Sequence, residues 1–143
     1  MNVATILKEK GREVLTALPD ASLLEVAKLL STHRVGCVVI ADEAGKVVGI
    51  ASERDIVRAI GTDGIGALEQ PITTCMTADV VSCQEADTIE QLMSEMTAHR
   101  FRHMPVVEKG KLNGLVSIGD VVKMRIAEAE MEAAAMREYI ATG

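Results

Sequence analysis

Two serine–aspartate pairs with the same spacing, Ser52-Glu53-Arg54-Asp55 and Ser117-Ile118-Gly119-Asp120, are the residues best placed to do chemistry. A carboxylate accepts two hydrogen bonds at once and so suits a vicinal diol, as the acidic residue of dinucleotide-binding folds does. A serine that opens a helix sets its hydroxyl beside free backbone N–H groups, which favour anions. The same four residues also make an ordinary helix start, in which Ser caps the first turn and Asp complements the helix dipole. Both readings stand for a single copy, and the presence of two copies favours the ligand-binding one.

Other reactive side chains point to less. Cys37, Cys75 and Cys83 are odd in number and form no C-x-x-C, which reads as small buried thiols, with neither disulfides nor zinc. No GxxxxGK[ST] loop, nucleophile elbow or HExxH helix is present, so no enzyme motif emerges and catalysis is not expected. The eight Met do not cluster and read as core filler rather than metal ligands. Fifteen Lys and Arg stand against 21 Asp and Glu, a net charge of −6. With Phe101 and Tyr139 as the only aromatics, neither a basic face nor stacking platforms exist for nucleic acid. No stretch reaches the ~20 apolar residues of a membrane span. Met1–Lys10 alternates charged and apolar residues, unlike a signal peptide, so a cytoplasmic location is expected.

The elements that must position the two Ser-x-x-Asp pairs repeat along the chain. Val14 aligns with Val80, Thr16 with Ser82 and His33-Arg34 with His99-Arg100, all at an offset of 66. After one dropped residue near Ala44, Gly49 aligns with Gly114, Ser52 with Ser117 and Asp55 with Asp120, at an offset of 65. Each copy reads as a short strand (Glu13–Thr16; Asp79–Ser82), then a polar turn and a helix capped by Ser22 or Thr88. Apolar spacing marks the helices at Leu23, Val26, Ala27, Leu29 and Leu30, and at Ile89, Leu92, Met93 and Met96. A hairpin follows, Gly36–Ile40 with Val47–Ala51 or Met104–Val107 with Leu112–Val116, and a closing helix starts at Ser52 or Ser117. Gly61–Gly66 reads as a loop. Residues 121–140 read as helix, with an apolar stripe that covers either a core or a partner chain; Val121, Val122, Met124 and Ile126 are expected to be buried in a homodimer.

A βαββα unit present twice, with Ser-x-x-Asp where the second hairpin strand meets the last helix, resembles the cystathionine-β-synthase-type (CBS) repeat. The second copy strengthens the likeness with His103-Met104-Pro105-Val106-Val107 before its hairpin turn. The resemblance implies an α/β fold, a tandem pair or Bateman module packed about a pseudo-twofold axis. It divides the chain into repeat 1 (1–60), a linker (61–72), repeat 2 (73–127) and a helical extension (128–143). It also implies a regulatory module with two clefts, each able to take AMP, ADP, ATP, NAD(H) or S-adenosylmethionine, that needs no cofactor or metal and acts on a regulated protein that the sequence does not name. A structural scaffold with empty clefts is the alternative.

By the same resemblance Asp55 and Asp120 hold ribose hydroxyls, with Ser52 and Ser117 near ribose and phosphate. The nucleotide-sensing γ subunit of the AMP-activated kinase, similar in fold, carries a basic pair before the first hairpin strand, which implies phosphate contacts for Arg102 and His103. Arginine suits that role because its planar fork can hold phosphate bidentately. This favours a phosphate-bearing ligand over S-adenosylmethionine. Repeat 1 has Gly36-Cys37 there and Val39 in place of Pro105. Arg54 either supplies its phosphate contact or is a solvated helix residue. Thr16, Val80, Ser82 and Pro105 complete the candidate ligand-binding set. His33-Arg34 and His99-Arg100 read as helix C-terminal cations. Cys37 and His103 occupy equivalent positions, as all core pairs of a duplication do, and this alone makes no catalytic pair.

Overall fold

The computed structural model describes residues 1–142. It divides into two compact units. One holds Glu13–Val81 together with Lys109–Asn113; the other holds Met1–Arg12, Ser82–Glu108 and the chain from Gly114 on.

In the first of these, strand β1 (Thr16–Ala17) leads to helix α2 (Leu23–His33), counting as α1 a helix at the N-terminus that belongs to the other unit. The Ser22 side chain accepts from the Glu25 N–H and starts α2, as the sequence predicts. Its apolar stripe buries Leu23, Val26 and Leu30 against the sheet. Strand β2 (Cys37–Ala41) is buried along its whole length. It pairs antiparallel with β3 (Val47–Ser52) and parallel with β1, the latter through Thr16↔Val39 and Ala17↔Ile40. Helix α3 (Glu53–Asp63) follows β3 directly.

Two expectations need correction here. The opening strand is two residues long rather than the four of Glu13–Thr16, because only Thr16 and Ala17 find partners on β2. Gly61–Gly66 is not a loop throughout: α3 continues through Gly61 to Asp63, and a 3-10 turn, Ile65–Glu69, begins after Gly64. That turn and the next, Ile72–Thr74, bury Ala67 and Ile72 in the same core. Helix propagation through one glycine costs only about 1 kcal/mol, and the positive φ of 81° at Gly64 is what stops it.

The other unit repeats the plan with α4 (Ile89–His99), β4 (His103–Glu108), the Gly114–Ser117 part of β5 (Lys111–Ser117) and α5 (Ile118–Thr142). Lys109 and Gly110, at φ 51° and 78°, make the two-residue reversal between β4 and β5. The expected strand Asp79–Ser82 does not form. A single parallel bridge, Cys83 to Val106, takes its place, with Cys83 N–H donating to the Pro105 carbonyl and Val107 N–H to that of Cys83. Helix α5 runs unbroken for 25 residues, so the expected extension is a continuation of the repeat's closing helix. Val121 and Met124 lie in this unit's own core and not on an open stripe.

Helix α1 (Val3–Lys10) completes this second core. Asn2 and Thr5 form a capping box at its start. The Val3 and Ala4 N–H groups donate to the carbonyls of Asp87 and Glu85, while Val3, Ile6 and Leu7 are buried. A Cβ on Gly114 would lie 2.7 Å from Leu7 Cδ2, so the missing side chain is what lets the leucine seat there. Met1–Arg12, at the start of the chain, thus belong to the unit that holds most of repeat 2.

Candidate functional site

The two Ser-x-x-Asp pairs form the same local structure. In repeat 1, Ser52 N–H donates to Asp55 Oδ2 at 2.9 Å and Asp55 N–H donates to Ser52 Oγ at 3.2 Å. In repeat 2 the matching distances, Ser117 to Asp120 and back, are 2.9 and 3.1 Å. Each pair is a reciprocal capping box. The helix-start reading is therefore satisfied in both copies, and it engages only Oδ2 of each carboxylate. Oδ1 of Asp55 and of Asp120 accepts no hydrogen bond among the described residues.

A second feature is shared. The first N–H of each closing helix donates to the residue just before the first hairpin strand: Glu53 N–H to Gly36 at 3.0 Å, and Ile118 N–H to Arg102 at 2.8 Å. This equivalence sets Arg102 and His103 against the N-terminus of α5, beside Ser117 and Asp120. Gly36 and Cys37 take those places at α3.

The copies then diverge. Asp120 Oδ2 also accepts from Lys10 Nζ at 2.6 Å. Burial opposes ionisation of Asp120, but the hydrogen bonds from Lys10 and Ser117 and the Lys10 charge outweigh it, holding its pKa below the ordinary value. Half-buried His103 is pushed below its usual range by burial, by Lys10 and by Arg102, with Asp120 acting against them. In repeat 1 no cation meets Asp55 among the described residues. Arg54 is exposed and has no ion-pair partner there.

Repeat 2 thus brings Arg102, His103, Ser117 and Asp120 together, with Pro105 buried two residues along β4 and Ser82 exposed just ahead of Cys83. Thr16, Ser52, Arg54, Asp55 and Val80 fall in the other unit. That unit has an opening of about 580 Å³ bounded by Arg34, Gly36 and Glu53, which touches neither Ser52 nor Asp55. A second, of about 480 Å³, is lined by Thr16 and the Asp42–Gly45 turn with Lys111. His33 and His99 end their helices and Arg34 and Arg100 cap them, as expected; His99 stacks on Phe101 at 5.7 Å. The sequence reading missed Lys10. It ends a helix, where any cation suits the dipole, and its partner lies 110 residues away.

Nucleophilic chemistry finds little support. Burial, with Asp87 and Glu108 nearby, raises the Cys83 thiol to about 12; burial and Asp55 raise Cys75. Neither supplies a thiolate at neutral pH. No group of three or more His, Cys, Asp or Glu able to hold a metal occurs among the described residues, and no helix there is long and apolar enough to cross a membrane.

The CBS domain family model matches twice, over residues 8–62 and 72–126. Among relatives, a 17.7 kDa protein of Acidianus ambivalens is 35% identical over 112 residues, 78% of this chain and 66% of that one. Among solved structures, the CBS-domain-containing protein ATU1752 of Agrobacterium tumefaciens is 48% identical, with a TM-score of 0.84 over 87% of this chain and 99% of its own. The CBS domain pair of MJ0100, in complex with 5-methylthioadenosine and S-adenosyl-L-methionine, is 26% identical, with a TM-score of 0.79 over 90% and 98%. PAE2072 of Pyrobaculum aerophilum, complexed with AMP, is 28% identical, with a TM-score of 0.75 over 84% and 89%.

Proposed function

Because the chain belongs to the CBS-domain family, as a tandem pair of repeats, we propose that it is a regulatory module that binds an adenine nucleotide and catalyses nothing itself. The observation that carries this reading is the repeat-2 site. An ionised Asp120 offers a free Oδ1 at the N-terminus of α5, with Arg102 and His103 against the same helix end. A ribose diol suits that carboxylate, and phosphate suits the basic pair. Structurally similar CBS proteins, one complexed with AMP and another with S-adenosylmethionine and methylthioadenosine, support adenosine as the shared element. The basic pair favours AMP, ADP, ATP or NAD(H) over S-adenosylmethionine. Asp55 offers a second, less cationic site. We place the protein in the cytoplasm, acting on another protein through ligand-dependent packing.

A thermal-shift panel of AMP, ADP, ATP, NAD(H), adenosine and S-adenosylmethionine tests the proposal. A ligand of the folded state at a hundred times its Kd adds about 2.7 kcal/mol and raises the midpoint. Phosphate-bearing ligands should do so and be recovered unchanged. A shift with S-adenosylmethionine alone would overturn the ligand class, and turnover of a nucleotide would overturn the absence of catalysis.

A second reading, association of two copies, rests on α5. Val122, Ile126, Ala129, Ala133, Met136 and Ile140 recur at alternating steps of four and three, the spacing of a two-helix seam. Val122 and Ile126 are 43% and 55% exposed, and Met136 and Ile140 59% and 70%. A second α5 would cover them.

A further inference from the structure

We infer that Lys10 is a ligand-recognition residue of the repeat-2 site, where its ammonium selects ligands that carry a phosphate beside the ribose. The inference rests on the nucleotide-binding reading above and adds a residue from outside both repeats' Ser-x-x-Asp pairs.

Lys10 is held in place from both sides. Before it, α1 is fixed by the hydrogen bonds of Val3 and Ala4 and by the burial of Ile6 and Leu7. After it, Arg12 Nη2 lies 2.6 Å from Glu85 Oε1. Packing therefore fixes the Lys10 backbone within reach of Asp120, so that the pair is not a loose tail finding a carboxylate.

The pair is not needed to start the helix. Asp55 makes the same capping box with no lysine, so capping accounts for the Ser-x-x-Asp geometry and leaves Lys10 unexplained. A surface ion pair of this exposure adds little to stability, so folding alone gives weak reason for it. Charge gives a stronger one. Lys10, bonded to Asp120, and Arg102, whose carbonyl accepts from the first N–H of α5, bring two permanent cations and one carboxylate to this helix end of a chain whose net charge is −6. That local excess is positive and suits an anion. After burial, Lys10 and Arg102 each disfavour protonation of His103, so both cations lie within electrostatic reach of that ring.

Donor and acceptor capacity agrees. Lys10 has three N–H donors, of which one is used on Asp120 Oδ2. Asp120 keeps Oδ1 for a ribose hydroxyl. A nucleoside bound through its diol leaves the remaining ammonium donors unused, whereas a nucleotide brings phosphate oxygens to them.

Isothermal titration of the full-length protein with AMP and with adenosine, at low salt, reads this directly. Lys10→Ala should weaken AMP about tenfold, the loss of one charge-assisted hydrogen bond, and change adenosine by less than about twofold. Lys10→Arg should restore most of the AMP affinity. Lys8→Ala, which removes the same charge from an exposed position of the same helix, should leave both ligands near wild type. Melting points of the unliganded variants report folding. Equal weakening of both ligands, tighter binding of both, or no change in either would overturn the inference while nucleotide binding stands. A wild-type protein that binds neither AMP nor adenosine would overturn the nucleotide reading, and this inference with it.

Discussion

Asp55 and Asp120 share a spacing, a capping box and a free Oδ1, but Asp120 alone pairs with Lys10, and Arg102-His103 stand where Asp55 has Gly36-Cys37. The sequence identified both carboxylates because two helix starts in register are conspicuous. It could not separate binding from capping, since the capping role turns out to be met in each. Asparagine separates them, because its amide oxygen can keep the acceptor for the Ser117 N–H while the charge is lost. Asp120→Asn should weaken AMP about ten- to hundredfold, with a loss of stability under about 1 kcal/mol. Asp55→Asn should have a smaller effect, on a different site, if calorimetry resolves two. Unchanged AMP affinity in both variants would leave Ser-x-x-Asp as a helix start only. His103 adds a pH dependence whose sign follows from its lowered pKa. Burial, Lys10 and Arg102 keep it neutral in the folded protein, so the unfolded chain takes up a proton first as the pH falls below about 6.5. Stability contributed by neutral His103 is thus present above that pH and is lost on the way down to the folded pKa. Asp120, also lowered, adds a loss at more acidic pH, as pH falls from the unfolded carboxylate value through the folded one. Urea melts from pH 7.5 to 5.5 should show a steeper decline for wild type than for His103→Gln; parallel curves would refute the assignment.

Helices α2 and α4 were legible because their caps and their apolar spacing agree: of the residues so marked, Leu23, Val26, Leu30, Ile89, Leu92 and Met96 are buried, and Ala27, Leu29 and Met93 are partly so. Of the expected opening strands the first is shorter and the second is replaced by one bridge at Cys83, since a strand's length is set by the partner's reach and not by its own composition. Helix α1 carried a local signal in Val3, Ile6 and Leu7, but its place against repeat 2 is a tertiary fact with no mark in a ten-residue window. The seat of Leu7 on Gly114 is what fixes it, and it can be tested as a pair. Leu7→Ala should cost about 2–5 kcal/mol, the range for a buried leucine. Gly114→Ala puts a methyl within 2.7 Å of Leu7 Cδ2 and should also destabilise. The double variant should be more stable than the sum of the two losses predicts, by at least about 0.5 kcal/mol, because the new methyl fills part of the space that Leu7 vacates. Strict additivity in denaturant melts would mean that the two residues do not share a site. Because Lys10 ends the same helix, Leu7→Ala should weaken AMP binding as well.

At the scale of the whole chain, duplication was the most legible property, since paired identities on both sides of one gap survive without any knowledge of packing. The apolar stripe after Val121 was only half right. Val121 and Met124 turn into their own unit's core, where repeat 2 needs them, and this frees the adjacent face of α5 to carry a separate pattern. That face holds Val122, Ile126, Ala129, Ala133, Met136 and Ile140 along a helix about 37 Å long at 1.5 Å per residue. A 3-4 spacing sustained through three turns and more is the geometry by which two helices bury a common seam, and the two alanines at its middle permit close approach. Alone, the face would leave Met136 and Ile140 largely in water, whereas pairing buries both. Ile126→Glu with Met136→Glu places two like charges on the seam of each copy and should convert a dimer to monomer in sedimentation. The wild-type melting point should rise with protein concentration, and that of the double variant should not, because association stabilises only a folded state that pairs. Both substitutions lie outside the buried core, so the unliganded variant should keep its secondary structure, and its AMP affinity per chain should match wild type if the site is complete within one copy. A wild type that sediments as a monomer at high micromolar concentration would remove the seam from the molecule's function.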